Sequence, residues 1–250
     1  MKGRFTMNVK KILAALAVTG CALQGFSSVE SANVVGYNSY QCPEDENGYF
    51  IGSFDNIGEA GKIQLGQIKP DENWDCTFCD TIATLNNLGL QEQYYTYDSG
   101  DWYVCDAFGN TEGDPINDTE LDLNVGLIVY SYWGSQLTFS GAVAQGDCEL
   151  NTEEDANAYT GNFTPAPLKI GDIVPDGDWD CTFCDTLAVL NSLGLQEVYY
   201  TYDSGDWYVC DAFGNTEGDP VNETVSFDPN SVFLIYTYWG SKVSFPSPLK

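Results

Sequence analysis

The feature that most constrains this chain is that its centre is written twice. The segment from Trp74 to Pro115 recurs without a gap from Trp179 to Pro220, an offset of 105, and only four positions differ: Ile82/Leu187, Thr84/Val189, Asn87/Ser192 and Gln93/Val198. The flanks align more loosely. Tyr130 to Ser135 matches Tyr236 to Ser241 at an offset of 106, and Gly52-Ser53-Phe54 resembles Gly161-Asn162-Phe163. A unit of about 105 residues is long enough to close its own core. The expected organisation is a leader over residues 1–32, a first β module over 33–144 and a second over 145–250, with the boundary in the small, polar run around Ala144.

The local patterns favour strands. Gly48 to Phe54 and Ile63 to Ile68 read as short extended runs. Gln93–Tyr97 and Trp102–Asp106 flank Asp98-Ser99-Gly100-Asp101, a strong hairpin signal. Gly126–Tyr132 and Gln136–Val143 read as a second hairpin about Trp133-Gly134-Ser135. Asp80–Asn87 reads as a short helix, capped by Asp80, striped by Ile82, Leu85 and Leu88, and ended by Gly89. The expected fold class is mainly β: two tandem homologous β-rich modules, each with hairpins and one short helix.

The N-terminus has the order of an export signal. Lys2, Arg4, Lys10 and Lys11 precede the apolar run Ile12–Val18, and small residues follow. Val18-Thr19-Gly20-Cys21 matches a bacterial lipobox, which would lipidate and anchor Cys21. Ordinary cleavage near Ser27 or Ala32 would instead discard it. No later stretch reaches the ~18 apolar residues of a spanning helix. The chain is therefore expected to be exported, to the periplasm, cell surface or exterior, with no integral span.

Charge narrows the partners. The chain has 37 acidic and 9 basic residues, no His and a net charge of −28. That excludes polyanions such as nucleic acid, which are held through basic patches. The absence of His removes Ser-His-Asp and Cys-His nucleophile systems and His metal ligands. There is no nucleotide loop, nucleophile motif or cofactor fingerprint, so no catalytic residue and no enzyme is expected.

Ser31-Ala32-Asn33-Val34-Val35-Gly36-Tyr37 resembles the mature start of exported bacterial proteins, of uncharacterised function, that carry an ANVVGY-type N-terminus and tandem β-rich modules. Further matching stretches are Phe50-Ile51-Gly52, Asp80-Thr81-Ile82, Tyr95-Thr96-Tyr97, Trp102-Tyr103, Gly126-Leu127-Ile128 and Leu137-Thr138-Phe139-Ser140-Gly141. The second copy departs at Phe245-Pro246-Ser247. The resemblance implies export and a β-rich module, and it carries no activity.

Three constellations remain as candidates. Setting Cys21 aside, the copies align Cys42 with Cys148, Cys76 with Cys181, Cys79 with Cys184 and Cys105 with Cys210. Four cysteines per module in an exported chain predict a disulfide framework. Tying the Cys76/Cys79 segment to Cys105 would close a loop of about 25 residues, for ~3 kcal/mol in the chain-entropy model. The alternatives for the same sulfurs are a zinc site and a CxxC thiol-disulfide oxidoreductase.

The runs Asp71, Asn73, Asp75 and Asp176, Asp178, Asp180, with Asp80 and Asp185 beyond them, place oxygen side chains at alternate positions and make calcium the candidate cation. The EF-hand pattern fails, because Cys76 or Cys181 occupies its glycine position and Ile82 or Leu187 its final carboxylate. A second acidic group, Asp106, Asn110, Glu112 and Asp114, recurs as Asp211, Asn215, Glu217 and Asp219. Finally, Trp102, Tyr103, Trp207 and Tyr208 on the hairpins are candidate rings for stacking on a sugar. The expected function is a non-catalytic structural or adhesive protein of the cell envelope or exterior. Calcium or carbohydrate binding is the alternative; glycans, other envelope proteins and self-assembly through Asn33–Tyr40 are the candidate partners.

Overall fold

A computed structural model describes residues 35–42, 44, 46–51, 63–121, 126–142, 146–162, 166–191, 193–229 and 231–247. The leader, Cys21 and the boundary at Ala144 lie outside the described residues. The first half of the chain supplies β1 (Val35–Gln41), β2 (Glu46–Ile51), β3 (Ile63–Gln64), β4 (Ile68–Pro70), β5 (Thr81–Leu85), β6 (Gln91–Asp98), β7 (Asp101–Cys105), β8 (Thr111–Glu112), β9 (Glu120–Leu121), β10 (Gly126–Ser131) and β11 (Gln136–Ala142). The second half supplies β12 (Cys148–Asn151), β13 (Ala156–Gly161), β14 (Leu168–Lys169), β15 (Val174–Pro175), β16 (Thr186–Leu190), β17 (Gln196–Asp203), β18 (Asp206–Cys210), β19 (Thr216–Glu217), β20 (Ser226–Phe227), β21 (Val232–Thr237) and β22 (Lys242–Phe245). The protein is mainly β.

The strand order repeats. A three-stranded sheet β1-β11-β4 and a six-stranded sheet β2-β10-β5-β6-β7-β8 in the first half correspond to β12-β22-β15 and β13-β21-β16-β17-β18-β19 in the second. Each half buries one core between its two sheets. In the first, Leu137, Phe139 and Ile68 meet Ile82, Tyr95, Trp102, Leu127 and Val129. In the second, Val243, Phe245 and Ile173 meet Leu187, Tyr200, Trp207, Phe233 and Ile235.

The hairpin expected at Asp98–Asp101 is present. Asp98 pairs with Asp101, and Ser99 and Gly100 take φ of 52° and 104°, the two positive values that match the right-handed twist of paired strands. Two other expectations are corrected. The Asp80–Asn87 segment is not a helix: Thr81–Leu85 is the strand β5, paired with β6 on one side and β10 on the other. A central strand buried on both faces has no alternation to show, and over so few residues its apolar spacing imitates a helical stripe. Nor do β10 and β11 form a hairpin. They belong to different sheets, so the chain crosses the sandwich at Tyr132–Ser135.

Register also corrects one cysteine alignment. Cys42 donates its N–H to the Ser135 carbonyl, the place that Thr152 takes against Ser241. Cys148 pairs with Phe245 as Asn38 pairs with Phe139. Cys42 and Cys148 are therefore not counterparts: Cys148 matches Asn38 and Cys42 matches Thr152, an offset of 110 in the first strands against 105 in the repeated centre.

The six-stranded sheet of the second half has a second buried face. Ala188, Leu190, Val232 and Leu234 cluster there with Tyr159 and Tyr199. Tyr159 also reaches the first copy: a Cβ built on Gly126 would stand 2.4 Å from the Tyr159 Cβ, and one on Gly89 2.4 Å from its hydroxyl. The residue aligned with Gly126 in the second copy is Val232. The missing side chain makes room for the tyrosine, and residues 35–250 form one compact unit.

Candidate functional site: two exposed aromatic clusters on a buried aspartate clamp

The site begins with the turn Asp75-Cys76-Thr77-Phe78-Cys79-Asp80. Asp75 caps a single 3₁₀ turn, its Oδ1 accepting from the Thr77 N–H at 2.9 Å and the Thr77 hydroxyl at 2.6 Å. Asp80, expected to cap a helix or bind a cation, is fully buried. Its Oδ2 accepts from the Asp75 N–H at 3.0 Å and the Ser131 hydroxyl at 3.1 Å, and its Oδ1 accepts from the Tyr132 N–H at 2.7 Å. One carboxylate thus joins the Cys76–Cys79 turn to the crossing between sheets. Burial pushes its pKa up from the ordinary value, against the N–H and O–H donors that pull it down. Asp185 does the same with the Asp180 and Tyr238 N–H groups at 2.8 and 2.7 Å, and burial again raises it.

The clamp brings three rings together at the surface. Phe78 stacks on Tyr132 at 5.0 Å and meets Trp133 edge-on at 5.6 Å, while Tyr132 and Trp133 stand at 89° to each other. Phe183, Tyr238 and Trp239 repeat this at 5.1, 5.5 and 4.7 Å. Trp133 is 49% exposed and Trp239 54%, far above the ordinary burial of such large apolar rings. A second loop adjoins each turn. Asp106 accepts from the N–H groups of Phe108 and Asn110, and the Asn110 side chain holds the Asp106 carboxyl below its ordinary value. Gly109, at φ 77°, lies against the Cys76 carbonyl, which leaves Phe108 standing into solvent beside the turn.

The expected sugar platform on Trp102 and Trp207 is corrected. Both indoles are fully buried, and their Nε1–H groups donate to the carbonyl of Ile68, in β4 of the facing sheet, at 2.9 Å and of Ile173, just before β15, at 2.8 Å. They pin the sandwich. Tyr103 and Tyr208, which follow them, are half-buried. The exposed rings are ones that sequence reasoning passed over. Their signal was the pairing of an aromatic inside each CxxC with the repeated Tyr-Trp-Gly.

The acidic runs do not converge. Asp71 Oδ1 accepts from the Asn73 N–H, Asp176 Oδ1 from the Asp178 N–H and the Ser241 hydroxyl, and Asp180 caps its own turn as Asp75 does. Among the described residues no three Cys, Asp or Glu side chains gather around a metal position. Among the described residues no disulfide joins the eight cysteines. Burial and the charges of Asp98 and Asp75 raise Cys76, and burial with Asp106 and Glu112 pushes Cys105 up to about 12. β1 is an edge strand that exposes Tyr37. No helix among the described residues is long and apolar enough to cross a membrane.

No protein-family model, curated protein or solved structure matches the chain.

Proposed function

We propose that this is an exported, non-catalytic adhesive protein of the bacterial envelope or exterior, built of two homologous disulfide-stabilised β modules, which holds a neutral glycan through its two exposed aromatic clusters. The observation that carries this reading is the duplicate geometry of Phe78, Tyr132, Trp133 and Phe183, Tyr238, Trp239, each fixed by a buried aspartate rather than left to packing. Exposed rings cover the apolar C–H face of a pyranose. The charge of −28 disfavours an acidic ligand. Raised Cys76 and Cys181 thiols run opposite to the lowered value a CxxC oxidoreductase needs. The matching strand orders support two modules, and two weak sites on one chain reinforce each other.

Glycan-array binding of the mature chain tests it. The wild type is expected to retain at least one neutral glycan class, and the Trp133→Ala, Trp239→Ala double variant to lose it with an unchanged melting midpoint. A double variant that binds like wild type overturns the reading.

A further inference from the structure

The outer face of the six-stranded sheet in the second half is hollowed at Ala188. Side chains two apart on a strand share a face, so Thr186 and Ala188 of β16 point away from the core that Leu187 fills. Register sets Ala188 between Leu234 of β21 and Tyr199 of β17. One methyl group between two larger side chains leaves an open pocket of about 330 Å³, at the small end of the ~300–1,000 Å³ typical of ligand sites. The pocket adjoins the second aromatic cluster along the chain. Cys184 and Thr186, on either side of the clamping Asp185, both line it, and so does Tyr236, two residues before Tyr238.

Its walls are polar without being charged. Thr186 is only 5% exposed, yet among the described residues its hydroxyl has no hydrogen-bond partner, which a buried hydroxyl ordinarily finds. Asn157, opposite Tyr236 on β13, has a carboxamide equally without a partner among the described residues. Gln196 Oε1 accepts from the Tyr199 hydroxyl, which leaves the amide NH₂ as a donor. The Tyr236 hydroxyl donates to Asp155 Oδ1 at 2.8 Å and keeps its own oxygen as an acceptor. None of the lining residues is acidic or basic. An apolar ligand would strand Thr186 and Asn157 without partners, and an ionic one would find no opposite charge. A neutral ring bearing several hydroxyls meets both demands, with Leu234 and Tyr199 against its C–H face. In the first copy β2 shifts register between Val129 and Ser131, so no residue stands opposite Tyr130 as Asn157 stands opposite Tyr236.

We propose that this pocket of the second copy takes one neutral monosaccharide ring, the end of the glycan chain that Phe183, Tyr238 and Trp239 hold. The class of ligand rests on the glycan reading above, and the place rests on the pocket. The test titrates the full mature chain with free D-glucose, D-galactose, D-mannose, L-fucose, N-acetyl-D-glucosamine and N-acetyl-D-galactosamine, each alone, followed by ligand-observed NMR. At least one sugar is expected to bind. Thr186→Val, which keeps the shape and removes only the hydroxyl, and Asn157→Ala should each weaken that binding about tenfold, and Ala188→Leu, which fills the hollow, should abolish it. No binding of any of the six sugars overturns the proposal, as does wild-type binding by Thr186→Val and Asn157→Ala. Glycan-array binding on the same preparation separates the two readings. Array binding with no uptake of free sugar sinks only the pocket, whereas uptake that Thr186→Val weakens, with no array binding, sinks only the aromatic clusters.

Discussion

At the scale of single residues, the carboxylates of Asp80 and Asp185 decide where the exposed rings sit. Replacing Asp80 with Asn leaves at least one buried N–H or O–H donor facing an amide NH₂, which costs about 1–3 kcal/mol. Chemical denaturation should show that loss, together with a change in Trp133 fluorescence. The pH dependence has a definite sign. Both carboxyls are raised by burial in the folded state, so their contribution to stability is fully present below the ordinary carboxylate value and declines as pH rises through the folded one. Asp80→Asn should remove part of that decline, and a variant with an unaltered pH–stability curve would contradict the assignment. The buried thiols make a second prediction. Cys42, Cys105 and Cys210 are pushed up to about 12, chiefly by burial, so in the reduced, folded chain they should resist alkylation at neutral pH and react once the chain is denatured.

At the scale of elements, legibility followed locality. The Asp98–Asp101 hairpin was legible because two turn residues between aromatic strands determine it without outside help. β5 was not, since a strand buried on both faces loses the alternation by which strands are recognised. The crossing at Tyr132–Ser135 was read as a turn within one sheet. Gly134, at φ 72°, announces a turn, but the clamp from Asp80, fifty-two positions away, decides that the chain changes sheets. The aromatic clusters stayed hidden for the same reason, as Tyr132 and Trp133 resemble core residues until the clamp holds them outward. The two glycine contacts give the element-scale predictions. Gly109→Ala forces a Cβ to 2.6 Å from a backbone carbonyl at a positive φ, and should cost at least ~1 kcal/mol and loosen the loop bearing Phe108. Gly126→Val installs the second copy's residue where Tyr159 now packs, so it should unseat the contact between copies, read as faster hydrogen exchange in β10 and β13. Unchanged exchange would mean that Tyr159 does not join them.

At the scale of the whole molecule, charge governs. Residues 33–250 carry a net charge of −31, and all five of their cations are lysines. Two exposed ion pairs among the described residues, Lys169–Glu223 and Lys242–Glu149, do little against that repulsion. Added salt should therefore raise the melting midpoint by screening. Calcium at matched ionic strength separates site binding from screening. The carboxylates of Asp71, Asp75, Asp80, Asp176, Asp180 and Asp185 are engaged in turns and clamps, so calcium should add nothing beyond sodium, and a chelator-reversible rise would restore a calcium site to the account.

The central claim, that the duplicated rings act together on one glycan surface, is tested most directly by binding to an immobilised neutral glycan at high and low density. The account predicts that Trp133→Ala and Trp239→Ala each lower apparent affinity on the dense surface by on the order of 10²-fold. Each single variant should also erase the dependence on density. Equal binding by the wild type and the double variant at both densities would contradict it.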